Sequence, residues 1–320
     1  MSKLKEYKTF KEKADFFKDG DLRVVFNIEH VFSELEKFGG TGNFIFRGAS
    51  EAKYKLFNSA QRVFIESELY KQVNKNYDIF YDSWIKNLIA NCRSWNSGTV
   101  TSLLKEAGIN PDNSLSYLSY MQHYKVPTPL LDFTRDPFIA LYFATENIGN
   151  YAADDEIDNY FSIYYTLTIN RAFIGWKDIF DSNITDFKSG VISYDDVTKN
   201  RLQLLLPDNK LYNLLNNSNI INQKGLFFYN NQPFEPLEES YKYFLTVIKD
   251  KISTDVYEHP HLMKVIGGCF NIHKSLAPYI QNKLKEKGIT KEFIYPDASK
   301  IKDFVLHNSF AQTIYASVPQ

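Results

Sequence analysis

Residues 121–146 read MQHYKVPTPLLDFTRDPFIALYFATE. This stretch is dense in side chains that can do chemistry: Gln122, His123, Tyr124, Thr128, Asp132, Thr134 and Arg135. Pro127 and Pro129 fix their backbone angles and lack N–H donors, so no helix runs through them. Leu130–Thr134 then predicts a short strand that carries Asp132 into the interior. Asp136 followed by Pro137 predicts a helix start, with a carboxylate N-cap and proline at the first helical position. The helix so opened has Ile139, Ala140, Phe143 and Ala144 on one face. Burying a polar group without a partner costs roughly 2–7 kcal/mol. Asp132 therefore needs a partner or a role.

Outward from this centre, the composition fits a packed core. The hydrophobic fraction is 44%, with 26 Phe and 22 Tyr in 320 residues. The charged fraction is 23% and the net charge is -1, which argues against disorder and against a strongly basic nucleic-acid surface. The two cysteines, Cys92 and Cys269, lie far apart without metal spacing, as in a reduced cytoplasmic compartment. No apolar run approaches the ~20 residues that span a membrane, and the Lys-rich start is not a secretory signal.

Upstream, residues 1–40 predict a leader of short helices, ended by a turn at Gly39, Gly40 and Gly42. Asn43–Arg47 predicts a strand that Gly48 stops, and Leu56–Arg62 fits no single pattern. Glu66–Cys92 predicts one long helix, with Leu69, Val73, Phe80, Trp84 and Leu88 at three-to-four spacing. Gly108 closes a short helix holding Leu103 and Leu104. Ser114–Tyr124 predicts a helix that delivers His123 and Tyr124 near its end.

Downstream, Phe161–Ile169 alternates as a strand. The Asn-rich run 213–222 predicts a loop into a strand over Gln223–Tyr229. Tyr243–Lys249 and Met263–Ile272 predict further strands. His273–Lys287 predicts an amphipathic helix with Gly288 beyond its end. Phe293–Asp297 predicts a strand, and Ser299 the start of a short closing helix. The sum is an α+β fold: a split mixed β-sheet with surrounding helices.

The motif scan is largely negative. The chain has no dinucleotide glycine fingerprint, no P-loop, no His-Glu-x-x-His, no paired Cys-x-x-Cys and no Gly-x-Ser-x-Gly elbow. His259 and His261 flank Pro260 without making a metal site, and no metal is expected. Cys92 reads as a core residue on its helix.

Four pieces together resemble one family. They are Phe46-Arg47-Gly48; the central stretch from Gln122-His123-Tyr124 through Leu130–Thr134 to Ala140–Ala144; Gln223–Phe227; and the helix ending at Gly288-Ile289 with Tyr295-Pro296-Asp297 after it. This order resembles the FRG domain family, over roughly residues 40 to 305. Pro129 stands where that family usually has Arg. The resemblance divides the chain into a helical leader (1–40), an FRG domain (41–310) and a tail (311–320).

The resemblance implies a bacterial toxin or antiphage effector with an ADP-ribosyltransferase-like core and NAD as cofactor. In that layout Arg47 ends a first strand, Asp132-Phe133-Thr134 form the second element and Gln223-Lys224-Gly225 the third. Gln223 or Gly225 stands where those enzymes carry a catalytic Glu, so Asp132 is the substitute carboxylate. The implied catalytic residues are Asp132, Gln223 and His123. The implied NAD-binding residues are Arg47, Tyr124, Thr128 and Thr134. Tyr124 or Phe133 would stack on the nicotinamide ring. The implied partners are a macromolecular substrate (protein or nucleic acid) and a neutralising antitoxin or phage trigger.

Two other readings stay open: a non-catalytic module that senses a nucleotide or a phage component, and a nuclease-like effector using His123, Asp132 and Arg47. Each residue also has a structural reading. Arg47 and Asp132 would pair, His123 would cap its helix, Thr128 and Thr134 would serve turns, and Gln223 would be a loop amide.

Overall fold

A computed structural model describes residues 4–25, 27–73, 75–167, 184–187, 202–207, 218–242 and 267–296. Its helices are α1 (Phe10–Ala14), α2 (Ile28–Gly40), α3 (Ser59–Glu66), α4 (Tyr77–Glu106), α5 (Ser114–His123) and α6 (Pro137–Thr145), followed by Ser218–Asn222, Ala277–Glu286 and Lys291–Ile294. Its strands are β1 (Phe17–Lys18), β2 (Arg23–Val24), β3 (Phe44–Ala49), β4 (Leu130–Thr134), β5 (Tyr160–Leu167), β6 (Ile184–Phe187), β7 (Leu202–Pro207), β8 (Gly225–Asn230) and β9 (Gly267–His273). The predicted strand Tyr243–Lys249, the His259/His261 pair and the helix at Ser299 fall outside the described residues.

The strands form one mixed sheet in the order β1-β9-β5-β3-β4-β8-β7-β6, with β2 also on β9. The four central ladders, from β9 to β8, are antiparallel. The fold is therefore α+β with a split mixed sheet. Both faces are covered. Phe161, Ile163 and Tyr165 of β5 face α2, α6 and the helix Ala277–Glu286. Tyr160 and Tyr164 face Tyr7, Phe10 and Phe17 of the leader. A strand buried on both sides is apolar throughout, which explains why β5 carries so many aromatics.

Several boundaries differ from the sequence reading. Gly48 does not stop β3; the strand runs on to Ala49. A Cβ there would lie 2.0 Å from the Ala140 carbonyl oxygen and 2.7 Å from the Ala144 nitrogen. Gly48 is a close-approach glycine that lets β3 cross α6. The long helix predicted from Glu66 is interrupted: Glu68 and Asn76 take positive φ, and α4 begins only at Tyr77. Leu103 and Leu104 do lie on a short helical segment ended near Gly108, since Trp95–Gly98 leave helical geometry and break α4 in two. Leu56–Arg62 resolves into the start of α3, where Asn58 and Gln61 form a capping box. Ser218–Asn222 is a helical turn where the Asn-rich run predicted loop. Phe293 lies in a helix rather than a strand, because the Thr290 side chain caps its amide.

The leader is stitched into the sheet. β1 and β2 both pair with β9, and Lys13 of α1 is fully buried. Its ammonium donates to the Ala52 carbonyl (2.7 Å), Ser162 Oγ (2.6 Å) and Asn271 Oδ1 (2.9 Å), and lies 4.8 Å from the Tyr164 ring centre. Three donors meet three acceptors, so the charge is satisfied, although burial lowers its pKa. Lys13→Met keeps the length and removes every donor. Leaving a buried acceptor unpaired costs ~1–3 kcal/mol. We expect urea unfolding to show a loss of about 2 kcal/mol. An unchanged midpoint would show that the network contributes nothing net.

Candidate functional site

The sheet opens between β3 and β4. β3 pairs with β5 over six register positions, and β4 pairs with β8 over five, but β3 and β4 share one, Phe46 with Thr134. Near that single rung the Arg47 guanidinium donates to the Asp132 main-chain carbonyl. The gap leads into a pocket of about 320 Å³, at the low end of the range for small-molecule sites.

All four sequence pieces reach this pocket. Phe46, Arg47 and Gly48 line it from β3; Gln122, His123, Asp132, Thr134 and Phe143 from the central stretch; Gln223 from the turn before β8 and Gly225 from the start of that strand; and Tyr295 from the chain's later part. Two expected binding residues lie elsewhere. Tyr124 is exposed at the end of α5, against Tyr120 and His123, and does not line the pocket. Thr128 is fully buried behind the wall, because its hydroxyl is used there: it donates to Gln122 Oε1. Gln122 in turn donates from Nε2 to Asp132 Oδ2 at 2.7 Å. A buried threonine thus orients an amide, and the amide orients the carboxylate.

Asp132 is not carried into the interior. Its side chain is open to solvent between buried neighbours. It sits inside a concave wall that removes much of its hydration, and this desolvation raises its pKa; the Arg47 charge and the Gln122 bond oppose the rise. Water reaches the group, yet the group is poorly solvated. Arg47 is half-buried; desolvation lowers its pKa and the Asp132 charge counters this. The guanidinium stays protonated regardless.

Two further expected residues have structural bonds. Thr134 Oγ accepts from the Asp136 amide (3.0 Å) and donates to the Gln223 carbonyl (2.6 Å). Gln223 donates from Nε2 to the Ile294 carbonyl at 3.2 Å. The Asp136 carboxylate caps α6 at Phe138 and also pairs with Lys224 at 2.8 Å. These links fix the turn before β8 against β4 and α6.

The sequence reading did not single out Ser119, Lys125 or Asn219 as site residues, though all three line the pocket. Ser119 sits mid-helix on α5, where serine has no distinctive spacing, and Asn219 lies in the Asn-rich run. Cys92 is half-buried against the core, and burial raises its thiol pKa to about 11. Among the described residues no three His, Cys, Asp or Glu side chains gather as a metal site, and no helix is long and apolar enough to cross a membrane.

No curated protein and no solved structure matches the chain. A family model, described as the FRG domain, matches residues 42–152, the segment that runs from β3 through α6 and carries Arg47, Gln122 and Asp132. Residues 42–152 of this chain are an FRG domain.

Proposed function

We propose that this protein is an ADP-ribosyltransferase-like effector that uses NAD on a macromolecular target in a bacterial cytoplasm. One observation carries the reading: the split between β3 and β4 brings a guanidinium and a carboxylate to one small pocket. Arg47 supplies a cation with several N–H donors, suited to a diphosphate, and Lys125 adds charge at the same wall. Cleaving the nicotinamide–ribose bond sends the bonding pair to nicotinamide and leaves oxocarbenium character at C1′. The Asp132 carboxylate stabilises that charge, as carboxylates do in glycoside hydrolysis. The target nucleophile then bonds C1′, and its proton passes to Asp132. A raised pKa brings a general base closer to neutral pH. On this reading the target is a protein or nucleic acid, and a neutralising antitoxin or a phage trigger controls the activity.

A second reading has its own support. Gln223 stands where a catalytic Glu is expected, and its amide is engaged with the Ile294 carbonyl. That favours a pocket that binds a nucleotide without turnover. Incubating the purified chain with labelled NAD and cell extract separates the two: transfer of label supports the enzyme, and saturable NAD binding without transfer supports the sensor.

Arg47→Ala tests both. Losing hydrogen bonds to a charged group costs ~1.5–3 kcal/mol, which is roughly ten- to a hundredfold in affinity. We expect weaker NAD binding by that factor, and relief of any growth inhibition caused by the wild-type protein. Full toxicity from a soluble Arg47→Ala variant would remove the residue from the site.

A further inference from the structure

Two pocket-lining residues each carry a buried side-chain oxygen that has no partner. Ser119 is fully buried, and its Oγ meets no donor or acceptor. Asn219 Oδ1 is also buried and unpaired. Both residues line the same pocket as Arg47 and Asp132, from α5 and from the helix Ser218–Asn222. Buried polar atoms in native proteins nearly always find partners, so an orphan calls for an explanation. One orphan can be an accident of packing. Two in residues lining one pocket call for a shared explanation.

The chemistry of the wall restricts that ligand. Ser119 offers a hydroxyl that donates or accepts, and Asn219 offers an acceptor. Neither is charged; the cation for an anionic group in this pocket is Arg47, so these two suit a neutral polar edge. The apolar neighbours Ile220, Leu226, Phe143 and Phe227 suit a flat ring. A ring edge carrying an N–H donor beside an acceptor answers both orphans. A ring carboxamide and an amino-substituted purine each have such an edge.

We propose that Ser119 and Asn219 form an uncharged subsite that reads the donor–acceptor edge of a heteroaromatic ring. This rests on the reading that Arg47 holds the phosphates of the same nucleotide. The sources of the ring are the nicotinamide or the adenine end of a dinucleotide.

The test is calorimetric titration of the full chain with nicotinamide, adenosine and pyrophosphate as separate probes. One ring probe binds the wild type. Ser119→Ala and Asn219→Ala each weaken it about tenfold, the worth of one hydrogen bond of ~1.4 kcal/mol. Pyrophosphate binding is unchanged in both variants and is lost in Arg47→Ala. Because Ser119→Ala removes an atom with no partner, its melting temperature holds or rises. Three results overturn the subsite: neither ring probe binds, both variants bind like wild type, or Ser119→Ala melts lower because its hydroxyl already serves the fold. Ring binding that depends on Ser119, without pyrophosphate binding, keeps the subsite and removes the phosphate role of Arg47. Pyrophosphate binding without ring binding does the reverse.

Discussion

On the proposed transferase reading, Asp132→Asn loses most of its turnover while melting at or above the wild-type temperature. The substitution keeps the shape and an oxygen that accepts from Gln122, so the wall of the pocket stays in place. The Arg47 contact is untouched, because it goes to the main-chain carbonyl rather than to the carboxylate. What disappears is the negative charge. A positioned acid–base group is worth ~10²–10⁴ in rate, and we expect a loss in that range. The stability side follows from the raised pKa. A carboxyl whose pKa is higher in the folded state stabilises the fold below its unfolded value, near pH 4. That contribution fades as pH rises through the folded pKa. Above the folded pKa the wild type holds this charge at a cost in stability, and Asn relieves it. The advantage of Asn should shrink on acidification toward pH 4. Thermal melts across this range, beside single-turnover assays, test both halves. A large drop in melting temperature at neutral pH would make Asp132 a structural partner instead.

Gly48→Ala is the most damaging single methyl in the described part of the site. The added carbon meets the Ala140 oxygen at 2.0 Å, the Ala144 nitrogen at 2.7 Å and the Ala144 Cβ at 3.0 Å. Two of these three are main-chain atoms of α6, so no rotamer change relieves them. Overpacking costs ~1–3 kcal/mol when side chains can yield. Here a strand and a helix must separate, and we expect about 3 kcal/mol or more, a fall of roughly 6–12 °C in melting temperature for a domain this large. Arg47 precedes Gly48 on the same strand, so NAD binding should weaken in whatever fraction still folds. Adding Ala144→Gly removes only the side-chain contact and should restore little. Full recovery by that second change would show that the Ala144 side chain, not the main chain of α6, limits the approach.

The sequence made the central stretch legible because its signals are local. Prolines at 127 and 129, an apolar strand and an Asp-Pro helix start each act within a few residues, and β4 and α6 begin where those signals place them. Gly48 was misread because a glycine that ends a strand and one that lets a helix approach look alike in one dimension. The reading of Glu66–Cys92 as one helix failed for a related reason. Its apolar spacing continues across Glu68 and Asn76, whose left-handed backbone breaks the helix without breaking the pattern. Tyr124 and Thr128 share the motif but not the pocket, since neighbours on a turning chain point in different directions. Ser119 and Asn219 had no signal at all. An unpartnered atom is a property of what surrounds it, and α5 and the helix Ser218–Asn222 meet only in the folded chain.

The pairing of β1 and β2 with β9 sets an order of events during synthesis. Residues 17–24 emerge early, yet their partners are residues 267–272. At translation rates of ~5–20 residues per second, the ribosome needs on the order of ten to fifty seconds to make the intervening chain. Throughout that interval Lys13 lacks Asn271, and β5, once made, exposes the edge that β9 will cover. The nascent chain therefore carries its FRG segment well before the fold can close. On the proposed effector reading, late closure delays activity until β9 has been made. It also leaves a period in which a chaperone or a neutralising partner can bind the open edge.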